Sequence, residues 1–118
     1  WGHESRQLAA ERFNLDYNDF NTRHAIAFET YEIGKLTMDE YLDIAVFYEQ
    51  RDFTKDAFRQ FMFTQSKPYP EMIELIKRLK KRYGLKIIAV SNEARELNTY
   101  RIEDVGLAGF IDFFVSSP

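Results

Sequence analysis

The chain has 118 residues, 45% hydrophobic and 16% aromatic, which is enough apolar matter for one domain with a core and excludes a disordered segment. Sixteen Lys and Arg against 19 Asp and Glu leave a net charge of −3, a balance that argues against general nucleic-acid binding. With no cysteine there is no disulfide framework and no zinc–thiolate site, a composition suited to the cytoplasm, and no apolar run is long enough to cross a membrane.

A short helix is predicted near residues 4–13, with Leu8, Ala9, Arg12 and Phe13 along one face. A longer one runs from about Asn18 to Ile33, with Phe20, Ala27, Phe28 and Tyr31 near helical spacing, and Gly34 follows as a left-handed terminator. Thr37-Met38-Asp39-Glu40 is a capping box: the Thr37 hydroxyl can accept from the Glu40 amide while the Glu40 carboxylate reaches back. The helix it opens carries Met38, Tyr41, Leu42, Ala45 and Tyr48. A fourth starts near Thr54 and presents Ala57, Phe58, Phe61 and Met62. These four are expected to form a four-helix bundle that buries their aromatic stripes.

The pattern changes at "KPYP", residues 67–70, where two prolines mark a boundary between residues 1–67 and 68–118. Pro70 suits the first turn of a helix that carries Met72, Leu75, Ile76, Leu79 and Tyr83 inward. Lys80, Lys81 and Arg82 complement the dipole of its last turn, and Gly84 ends it. An apolar strand follows at 85–90, then a helix of about 93–105, then "LAGF" and a second strand near 111–117. Helix and strand alternating in this way imply an α/β architecture with a parallel, Rossmann-like sheet, its strands buried on both faces. Two parallel strands make no stable open sheet. The chain, which opens at Trp1 and closes at Pro118 beside an apolar run, is therefore read as a segment holding part of that core.

The stretch "LKIIAVSNEARELN", residues 85–98, places a hydroxyl and an amide where the strand meets a helix N-terminus. Ligands bind at the carboxyl ends of the strands in open parallel sheets, and the amides and dipole of a helix start favour an anion such as phosphate. Ser91 adds a donor there without adding charge, and Asn92 can add another. Both are also preferred helix caps, and on spacing alone capping is the plainer reading of the pair.

"IIAVSNEA" resembles the second motif of the haloacid dehalogenase superfamily, in which a hydrophobic strand ends in Ser or Thr. The order of parts is similar as well: a helical bundle, the helix "PEMIELIKRLKKRYGLK", the Ser-bearing strand, then "LAGFIDFFVSS". This looks like a subfamily with a helical cap inserted after the first strand. The resemblance implies a hydrolase. Most members are phosphatases that form an aspartyl-phosphate intermediate, with magnesium bridging nucleophile and substrate. It makes Ser91 and Asn92 the phosphate-binding pair. It also places the nucleophilic and acid–base aspartates upstream of Trp1, and leaves the metal ligands outside the segment too. Asp16, Asp19, Asp39, Asp43 and Asp112 match no motif.

The bundle is then a lid, and its substrate-facing candidates are Arg23, His24, Tyr31, Glu32 and Lys35. Each also has a plain structural reading, as a packing, surface or turn residue. Arg95 and Arg101 read as helix-surface salt-bridge partners, Glu93 as a first-turn residue favoured by the dipole, and "KRLKK" as a solvated face. The implied partner is a small phosphorylated substrate, with no nucleic acid and no membrane; the oligomeric state stays open. Dehalogenation of a 2-haloacid, with Arg23 holding the carboxylate, and a non-catalytic binding member of the same fold remain the alternatives.

Overall fold

A computed structural model describes residues 1–116. Its elements in chain order are α1 (His3–Arg12), α2 (Tyr17–Glu32), α3 (Met38–Ala45), α4 (Lys55–Thr64), α5 (Pro70–Tyr83), β1 (Ile88–Ser91), α6 (Arg95–Asp104), a 3-10 turn (Leu107–Gly109) and β2 (Phe113–Ser116).

Local chemistry explains several helix starts. The Asp16 carboxylate accepts from the Asp19 amide at 2.8 Å, and the Thr54 hydroxyl from the Ala57 amide at 3.0 Å. The capping box before α3 forms in both directions, at 3.2 Å from the Glu40 amide to Thr37 and 3.4 Å from the Thr37 amide to Glu40. Gly84 closes α5 in the left-handed region, at φ 61°, where a side chain would be strained.

Helices α1–α4 share one apolar cluster. Phe20, His24, Ala27 and Tyr31 lie on its side of α2, and Met38, Tyr41, Leu42 and Ala45 on that of α3. Ala9 and Ala10 let α1 approach closely, whereas Leu8, expected on the buried face, is exposed. Phe58 of α4 sits in the centre, among the rings of Phe13, Phe20, Phe47, Phe53 and Trp1. Ala57, expected on the same face, is exposed. Tyr48 does not extend the α3 stripe, because Val46 turns into the core, ends the helix and leaves Tyr48 39% exposed. The cluster continues past residue 67, since Ala94 and Leu97 at the start of α6 are buried in it.

Parallel pairing of β1 with β2 runs from Ile88 opposite Phe113 to Ser91 opposite Ser116. Lys80 clamps the sheet's base: its ammonium donates to the Phe110 carbonyl at 2.7 Å and to Asp112 at 2.8 Å, and Asp112 also accepts from the Ile87 amide at 2.8 Å. Within "KRLKK", Lys77 pairs with Glu74 on the helix surface, whereas Lys80 is drawn off the solvated face into the pair with Asp112.

The sheet differs from expectation in two ways. β1 starts at Ile88 rather than Leu85, because Ile87 spends its amide on Asp112 and its carbonyl on the Asp112 and Phe113 amides. Its face carrying Ile88 and Val90 is open rather than buried, as are Phe113 and Val115 beside it. Likewise Met72, Leu75, Leu79 and Tyr83 of α5, expected inward, are exposed. The amphipathic pattern marks a face suited to burial, and no second layer covers it among the described residues. Ser117, included in the second predicted strand, lies outside them.

Candidate functional site at the end of β1

Ser91 is the last residue of β1, at the carboxyl end of a parallel strand. Its Oγ accepts the Glu93 amide proton at 3.2 Å, so the hydroxyl braces the loop and does not cap α6. The helix starts two residues later than predicted, after Ala94, with no side-chain cap. Its first-turn amides and the Ser91 hydroxyl proton are left without side-chain acceptors among the described residues. Asn92 is exposed beside them.

Glu93 lies ahead of the helix rather than in its first turn, and it is 9% exposed. Burial alone would raise its carboxyl. The Arg101 guanidinium at 2.9 Å acts in the opposite direction and favours the carboxylate. Arg101 also donates from Nε to Ser66 Oγ at 2.9 Å, and Glu96 accepts the Met38 amide at 2.8 Å. The loop after β1 is therefore tied to the start of α3 and to residue 66.

The C-terminal end of α2 faces this loop. Tyr31 is buried and stacks on Tyr41 at 4.8 Å, and its hydroxyl has no partner among the described residues. Burial raises that hydroxyl's pKa, and the nearby Glu96 and Glu93 carboxylates raise it further. Glu32 is also raised, by burial and then by Glu93. Because an unpaired buried hydroxyl is costly, Tyr31→Phe is expected to leave stability unchanged or raise it by about 1 kcal/mol in urea unfolding. A loss of more than about 1 kcal/mol would show that the hydroxyl is satisfied after all.

A family model described as haloacid dehalogenase-like hydrolase matches residues 3–118. The chain belongs to the haloacid dehalogenase-like hydrolases. Among curated proteins none matches it. Within this hydrolase, the sequence candidates separate into two groups. Tyr31 and Glu32 lie near enough to the strand-end loop to feel the Glu93 charge. Arg23 and His24 sit seven to nine residues earlier on α2, roughly 10–13 Å along the axis. Arg23 pairs with Asp19 at 3.2 Å and lies over the Tyr48 ring, and Lys35 is an exposed turn residue.

His24 is a core residue: its Nδ1 lies 2.8 Å from the Tyr41 hydroxyl, which accepts from Trp1 Nε1 at 3.1 Å. Burial, with the Arg6 charge, lowers its pKa to about 4. The unfolded chain takes up this proton near 6.5 and the folded hydrolase resists until about 4. Stability from His24 is therefore complete above pH 6.5 and is lost as the pH falls through that window. The expected loss is on the order of 3 kcal/mol. Glu32, raised in the folded state, acts in the opposite sense, so the readout is the difference between wild type and His24→Gln: the variant should show a flatter slope between pH 6.5 and 4.

The aspartates have structural posts. Asp16 caps α2, Asp19 binds Arg23 and Tyr48, Asp39 binds Arg59, Asp43 binds Lys55, and Asp112 holds Lys80 and the Ile87 amide. Glu93, Arg101 and Glu96 are the residues that the sequence reading undervalued. Glu93 and Arg101 are eight positions apart, which no helix places side by side, so no local spacing announces the pair.

Proposed function

We propose that this hydrolase is a magnesium-dependent phosphatase of a small phosphorylated metabolite, in which Ser91 binds the phosphoryl oxygens. The observation that carries the reading is the Ser91 hydroxyl at the strand end: its oxygen is engaged by the Glu93 amide, and its proton is free among the described residues to donate to an anion. The Asn92 backbone and the uncapped first turn of α6 add donors on the same side. In this reading residues 1–67 are the cap and 68–118 part of the Rossmann-like core, and the Tyr31–Glu32 end of α2 is the part of the cap nearest the substrate.

Among the described residues no group of three or more His, Asp or Glu is arranged to hold a metal. The dehalogenase alternative draws no support from Arg23, whose Nε pairs with Asp19 and whose guanidinium lies over the Tyr48 ring, earlier on α2 than the Tyr31–Glu32 end. No helix is long and apolar enough to cross a membrane among the described residues.

The test is phosphate release from p-nitrophenyl phosphate and a panel of phosphorylated metabolites by the intact protein, with and without magnesium, alongside chloride release from 2-chloropropionate. Magnesium-dependent phosphate release supports the reading. Chloride release without phosphate release, or no turnover on either panel, overturns it.

A further inference from the structure

A cavity lies away from the strand end, between the segment after α4, α5 and the far half of α6. It has a volume of about 330 Å³, and its walls include Ser66, Lys67, Ile73, Arg101, Val105 and Leu107. That is the low end of the range for small-molecule sites. Two of its side chains are cationic and none is acidic. Lys67 makes no ion pair among the described residues. Arg101 uses Nε on Ser66 and one Nη2 proton on Glu93, leaving the rest of its five N–H donors available. Ser66 accepts from Arg101, so its own proton can serve as a donor. Ile73, Val105 and Leu107 add apolar lining to these polar groups. A smaller cavity of about 40 Å³ shares Ser66 and Arg101 and reaches Trp1, on the way to Glu93.

We propose that this cavity binds a small organic carboxylate with an apolar body, and that the occupant acts on the Ser91 loop through Arg101. The planar guanidinium matches a carboxylate fork, Lys67 adds charge, and the aliphatic wall takes the apolar part. The occupant competes with Glu93 for the same guanidinium. Drawing Arg101 toward the cavity weakens the pair that fixes Glu93, whose amide braces Ser91. The binding step stands on the cavity alone. The effect on activity rests on the assignment of Ser91 to phosphate.

The experiment is an amide NMR titration of the intact protein with benzoate, and in parallel with inorganic phosphate. Benzoate should give saturable shifts at Ser66, Lys67 and Leu107 and a coupled shift at Glu93. Lys67→Gln, which changes an exposed side chain and should not disturb folding, is expected to weaken benzoate by about threefold to fivefold. Arg101→Gln should abolish both the binding and the Glu93 shift. No saturable shift in the cavity, or wild-type affinity in the Lys67→Gln protein, overturns the site. Phosphate binding there more tightly than benzoate overturns the carboxylate assignment. Saturation with Glu93 unmoved overturns the coupling. Because the shifts are read without turnover, they stand or fall separately from phosphate release.

Discussion

Ser91→Ala is expected to lower phosphate release by the intact protein by about 100-fold if the proposed phosphatase reading holds, with little change in stability. The magnitude is that of removing one preorganised donor from the position where charge develops in phosphoryl transfer. The hydroxyl is prepared for this: its oxygen is committed to the Glu93 amide, which fixes the direction left for its proton, and the strand pairing of Ser91 with Ser116 fixes the backbone. The variant loses the brace on the Glu93 amide, worth about 1 kcal/mol, so urea unfolding should shift only slightly. Ser91→Thr keeps the hydroxyl, suits a strand end, and should recover most of the rate. A kcat/KM for Ser91→Ala within about threefold of wild type would remove Ser91 from the reaction and return the residue to a loop-bracing role. A large loss in the Thr variant as well would point to shape rather than the donor.

Legibility in the sequence followed locality. The capping box at Thr37–Glu40 and the Thr54 cap were readable because donor, acceptor and helix start lie within four residues. The α2 stripe was readable in part: Phe20, Ala27 and Tyr31 stood out as apolar, while His24, at the position that completes the spacing, did not, because its burial depends on Tyr41 arriving from another helix. The start of α6 was misplaced for a related reason. Ser91 and Asn92 have strong capping preference, yet Ser91 is the last residue of the strand and its oxygen is used two residues on, so the helix waits for Ala94. The Glu93–Arg101–Ser66 chain has no local signature at all. Its members are brought together when Ala94 and Leu97 enter the cluster formed by α1–α4, a contact that periodicity along any one helix does not encode. The apolar face of α5 and the sheet is the opposite case. Its pattern is plain in the sequence, but the described residues do not bury it.

Phe58→Ala should cost about 3–5 kcal/mol, a large share of the stability of a domain this size. Phe58 has no exposed surface, and five aromatic rings surround it at centroid distances of 4.8–6.5 Å, contributed by α2 and by segments flanking α1, α3 and α4. Truncation removes ring volume that neighbours fixed in separate segments cannot refill by one small shift, so a cavity term adds to the lost burial. The comparison that isolates packing is Phe113→Ala. The same side chain is deleted from a site that is 62% exposed, and the expected cost is below about 1 kcal/mol. Urea unfolding of both variants measures the difference. The cluster around Phe58 also contains Ala94 and Leu97, which seat the loop carrying Glu93. Phe58→Ala should therefore lower hydrogen-exchange protection in the first turns of α6 as well as in α4. Loss of protection confined to α4, or equal costs for the two phenylalanines, would mean that the strand-end loop is held by its ion pairs alone and not by the aromatic core beneath it.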